Sequence, residues 1–138
     1  MGKYKEGRII FIQPLDPYRN DIIVAAGATK EDILRFCKKE KVIREFTDII
    51  REEVDAFPIA INKLGLFFWR KKGERLLFLL LLRPFQDKWE YWECLIHELA
   101  HVVQRLAVDK MMESEDEARA YLQEFLFRSI RRKLQGVE

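Results

Sequence analysis

Leu76-Leu77-Phe78-Leu79-Leu80-Leu81-Leu82 is a run of seven apolar residues closed off by Arg75 and Arg83. Such a run has no polar side to turn to water, so whatever it forms must be covered on every face. A helix that crosses a bilayer takes about 20 apolar residues, far more than this segment offers. Its length suits a β-strand, and two apolar faces place that strand in the middle of a sheet.

The neighbouring residues supply partners for it. Leu64 to Arg70 is a second apolar, aromatic run, separated from the first by Lys71-Lys72-Gly73-Glu74, a loop of hairpin length and composition. Two further β-branched runs, Arg8 to Ile12 and Asp21 to Ala26, flank a turn-rich piece with Pro14, Asp16, Pro17 and Asn20. After Gly27, Thr29 offers an N-cap hydroxyl to an acidic first turn, and Ile33, Leu34 and Phe36 follow at helical spacing to about Lys41. Ile43, Phe46, Ile49, Ile50 and Val54 mark a second amphipathic helix that stops before Pro58. A long helix is expected to open at Asp87, with Glu90 reaching back to close a capping box. A polar break from Asp109 to Ser114 precedes a last helix, about Glu115 to Arg132, with Ala118, Leu122, Phe125, Leu126 and Ile130 turned inward. The expectation is one α+β domain over all 138 residues, with a small, mostly antiparallel sheet.

Composition narrows the setting. The chain has 25 basic and 23 acidic residues, a net charge of +2, so no global field recruits nucleic acid or a membrane surface. Four basic residues near the C-terminus, Arg128, Arg131, Arg132 and Lys133, suit the last helix's dipole and are read as a solvated face. Two cysteines, Cys37 and Cys94, are too few for a secreted disulfide framework, and the N-terminus lacks a signal-peptide pattern. A cytoplasmic protein with reduced thiols is expected.

The chemistry concentrates in His97-Glu98-Leu99-Ala100-His101. Imidazoles four residues apart leave one face of a helix and can chelate a single ion, as in zinc sites. Glu98 lies about 60° further round the helix than His101, so its carboxylate stands beside such an ion and can take a proton from a water. Both histidines of the chain belong to this pattern. A catalytic zinc takes three protein ligands and leaves a position for water, so a third ligand is expected from another element. The acidic stretch Glu113-Ser114-Glu115-Asp116-Glu117 is the donor region, and Glu117 is the choice within it because Ala118 allows close helix approach. For Glu113, Glu115 and Asp116 the simpler reading is an acidic complement to the helix N-terminus.

His97-Glu98-x-x-His101 followed by Glu115-Asp116-Glu117-Ala118-Arg119-Ala120-Tyr121-Leu122 resembles the gluzincin-type metallopeptidases, in particular the ImmA/IrrE-like enzymes and small phage- or prophage-encoded zincin-like proteins. The resemblance covers approximately Leu64 to Arg132. It implies a zincin-like fold, with the sheet packed on the HExxH helix and a glutamate-bearing helix following. It further implies zinc bound by His97, His101 and Glu117, with Glu98 as general base and acid in hydrolysis of a peptide or protein substrate. One departure matters: thermolysin-like enzymes carry an aspartate four residues after the third ligand, and Tyr121 stands there instead. Tyr121, Tyr91 and Arg119 are the candidate donors to an oxyanion, Tyr121 first among them, although the simpler reading of each is a packing or surface residue. Leu64 to Arg70 is a candidate edge for an extended substrate.

Cys94, three residues before His97, is either an additional metal ligand or an inert thiol, and the second is preferred. Trp69, Trp89 and Trp92 are expected in the core. Two functions compete: a zinc metallopeptidase, and a non-catalytic zinc-binding regulatory or phage accessory protein of the same fold.

Overall fold

The computed structural model describes residues 8–15, 20–42, 44–53, 65–72, 75–109 and 116–136. The architecture is α+β: strands β1 (Ile9–Leu15) and β2 (Asn20–Ala26), helices α1 (Lys30–Lys39) and α2 (Arg44–Glu53), strands β3 (Gly65–Lys72) and β4 (Arg75–Leu82), then helices α3 (Trp89–Asp109) and α4 (Asp116–Leu134). By their contacts the residues group into two compact units, Met1–Phe85 and Gln86–Glu138.

The first unit holds a four-stranded sheet in the order β1-β2-β4-β3. β1 and β2 pair antiparallel, as do β3 and β4, while β2 and β4 run parallel, with α1, α2 and β3 between them in sequence. The apolar run is therefore an inner strand, and Leu76 to Leu82 are fully buried. On one face Ile23, Ala25, Leu77, Leu79 and Leu81 form a core with Ile33 and Cys37 of α1 and Ile50 of α2. The residues between them, such as Ile22, Val24, Phe78 and Leu80, are equally buried, as two apolar faces require.

Several local expectations shift. Pro14, read as part of a turn, lies in β1 opposite Asp21. Proline is tolerated there because β1 is an edge strand among the described residues, so the missing N–H breaks no ladder. Lys71 and Lys72 belong to β3, with Lys72 opposite Arg75, so the connection is shorter than its composition suggested. Pro58, Val54 and the turn at Asp16 and Pro17 lie outside the described residues.

The ends of α1 follow local chemistry closely. The Thr29 hydroxyl accepts from the Asp32 N–H while the Asp32 carboxylate accepts from the Thr29 N–H, a complete capping box. At the other end Val42 N–H donates to Cys37 and Lys41 N–H to Lys38, a Schellman pattern that puts Lys41 at φ 55°. A lysine in the left-handed region crowds its Cβ against the backbone, and glycine removes that crowding. Lys41→Gly is expected to stabilise the protein by about 0.5–1 kcal/mol, read as a raised urea midpoint at unchanged m-value. Gly27, at φ 66°, ends β2, and its N–H donates to Leu82 at 2.9 Å.

In the second unit α3 and α4 lie antiparallel. Gln123 Nε2 donates to the Ile96 carbonyl at 3.5 Å, Phe127 meets Trp92 edge-on at 6.2 Å, and the Arg131 guanidinium sits 5.2 Å from the Trp92 ring centre. Gln135 donates to Asp87 at the far end. Asp87, expected to cap α3, instead accepts from the Trp92 indole N–H at 2.9 Å, and the helix begins two residues later. Phe125, expected inside, is exposed, as are Trp69 and Trp89, whereas Trp92 is buried. No helix among the described residues is long and apolar enough to cross a membrane.

Candidate metal centre

α3 buries one broad side, through Tyr91, Trp92, Leu95, Leu99, Val102, Val103 and Leu106. At about 100° per residue, His97 and His101 fall on the opposite side, and both are exposed. Glu98 falls between the two sides. It is 7% exposed, a buried carboxylate on the rim of an otherwise apolar face.

His97 and His101 bring their Nε2 atoms to 3.2 Å, with the rings edge to face at an interplanar angle of 86°. The contact has the length of an N–H···N hydrogen bond between the rings. The same spacing suits a zinc ion: with zinc–nitrogen bonds of about 2.05 Å, nitrogens 3.2 Å apart subtend roughly 100°, close to a tetrahedral angle. One ligand atom from each of His97, Glu98 and His101 lies within 4.8 Å of the others.

Glu98 adds an independent observation. Its Oε2 atom is buried and has no hydrogen-bond partner among the described residues. A carboxylate oxygen withdrawn from water and left unmatched is costly, so a bound cation or an ordered water beside the histidines would satisfy it. The donor set, two imidazoles and a carboxylate, is one that zinc accepts.

Glu117 is the second residue of α4, exposed, and outside this cluster. The contacts from Gln135 with Asp87 to Gln123 with Ile96 define an antiparallel register, and an ideal pair continued in that register for about one and a half turns would put Glu117 and Ala118 level with His101 and Tyr121 level with Glu98. Position around the α4 axis is a separate matter from level along it. α4 touches α3 through Gln123, Phe127 and Arg131, whereas Glu117 shares its stripe with Tyr121, Glu124 and Arg128, about 80° further round. Glu113 and Glu115 lie outside the described residues.

Of the three candidate oxyanion donors, Tyr121 is 66% exposed and Arg119 half-buried, while Tyr91 is buried with its ring edge-on to Trp92. Burial, reinforced by the neighbouring Cys94, raises the Tyr91 phenol far above its ordinary pKa, so it stays protonated. Cys94 itself is half-buried and does not join the metal cluster, while Cys37 is buried and its thiol is pushed up to about 11. Sequence reasoning missed the tie between Asp87 and Gln135, which holds one end of the helix pair and joins residues 48 apart, beyond any local pattern.

Comparison of the chain with protein-family models, with curated proteins and with solved structures returned no match.

Proposed function

We propose that the protein is a zinc-dependent metallopeptidase of gluzincin type, with His97 and His101 as metal ligands and Glu98 as general base. One juxtaposition carries the reading: two imidazole nitrogens at chelating distance beside a buried carboxylate oxygen that has no partner among the described residues. Glu117, at the level of His101, is the third ligand in this reading, and a turn of α4 about its axis is what its carboxylate needs to reach the ion. A zinc ion held there supplies a Lewis acid at neutral pH. Water adds through its oxygen to the peptide carbonyl carbon, Glu98 takes the proton released, and the same carboxyl returns it to the nitrogen as the C–N bond breaks. The products are a carboxylate and an amine, and no covalent enzyme intermediate forms. Tyr121, exposed and level with Glu98, is the group assigned to the developing oxyanion.

The exposure of both histidines favours a second reading, in which the helix holds zinc for a regulatory or phage accessory role without turnover. Metal analysis of the purified protein tests what the two share. One equivalent of zinc is expected in the wild type and well under a tenth in His97→Ala, because one imidazole cannot chelate. Equal metal content in the two proteins, or none in the wild type, would remove both readings.

A further inference from the structure

The first unit contains a cavity of about 390 Å³ between the start of β1 and one side of α1, in the size range of small-ligand sites. Arg8 and Ile10 line it from the strand, and Asp32, Arg35, Phe36 and Lys39 from the helix. Its charges are unevenly committed. Asp32 accepts from Arg8 Nη1 at 3.4 Å, from Arg35 Nη2 at 3.1 Å and from the Thr29 N–H at 3.0 Å. That single carboxylate therefore orients two guanidinium groups, each of which has five N–H donors. Lys39 adds a third cation, with Glu40 as the remaining acid. Ile10 and Phe36, both half-buried, give the cavity an apolar wall.

From this arrangement we infer a binding site for a small organic anion, with its carboxylate or phosphate held between Arg8 and Arg35 and its apolar body against Phe36 and Ile10. Guanidinium forks match the planar oxygens of such groups, and here both are drawn toward one carboxylate. Arg8, just before β1, and Arg35, on the capped helix, lie 27 residues apart in sequence and meet at one carboxylate. The lowered pKa of Asp32, set first by the Thr29 N–H and then helped by Arg8 and Arg35, keeps that anchor ionised over the working pH range. This site uses none of the metal-centre residues and does not depend on the peptidase reading.

The test is titration of the full-length protein, followed by amide NMR shifts, with phenylacetate, phenyl phosphate and neutral phenylacetamide. At least one anion is expected to saturate in the millimolar range, shifting amides of residues 8–10 and 32–40, with phenylacetamide inert at the same concentrations. Which anion binds more tightly separates a carboxylate from a phosphate ligand. Arg35→Gln, a change at a side chain 75% exposed, should weaken the anion by about fivefold to tenfold, and Arg8→Gln likewise. Lys88→Ala, another exposed cation, should leave it unchanged. Equal response to the neutral amide, no response to either anion, or unaltered binding in both arginine variants would overturn the proposal.

Discussion

Glu98→Gln is expected to retain one equivalent of zinc while lowering kcat/KM for peptide hydrolysis by about 10²- to 10⁴-fold, the usual contribution of a positioned base. Glutamine matches glutamate in size, so the buried space stays filled, but an amide does not take up a proton at neutral pH. The fold should survive, since the substitution keeps the side chain's shape and takes away a buried charge. Metal content measured beside turnover separates the alternatives. Joint loss of zinc and activity would make Glu98 a ligand, and undiminished turnover would end its assignment as base.

Phe78→Ala carries the largest expected structural effect. Phe78 is fully buried in β4, opposite Ile22 of β2 and Trp69 of β3. Removing a buried aromatic ring leaves a cavity that the strands on either side can fill only in part, at a cost of about 3–5 kcal/mol. Set against a typical net stability of about 5–15 kcal/mol, that loss is a large fraction of the total. Urea denaturation should show the shift, and a change below about 1 kcal/mol would contradict an inner position for this strand.

How much of this was legible in the sequence depends on how far each signal reaches. The inner strand could be read because an unbroken apolar run admits few environments, and the start of α1 because Thr29 and Asp32 satisfy one another within four residues. The histidine pair could be read for the same reason, since a separation of four residues on a helix fixes a chelating distance without help from the rest of the chain. Asp87 was misread because its local pattern favours a cap, yet Trp92 and Gln135 compete for the same carboxylate and prevail. Phe125 sits at an inward helical spacing and is exposed all the same, because periodicity gives the apolar side of a helix but not the width of the neighbour that covers it. Glu117 shows the same limit at the site: register along α4 follows from chain length and the antiparallel pairing, whereas rotation about the axis follows from contacts that Gln123, Phe127 and Arg131 make with α3.

The pairing of β4 with β2 has a consequence during synthesis. Ile22 and Phe78 meet across 56 residues of chain, so the greasiest stretch leaves the ribosome with one lateral neighbour long since made but still to be found. Until the strands zip, that stretch is a ready seed for cross-chain stacking. Arg75 and Arg83, one at each border, act as charged sentries against self-association, and neutralising both should lower soluble yield more than it lowers the stability of molecules that have already folded.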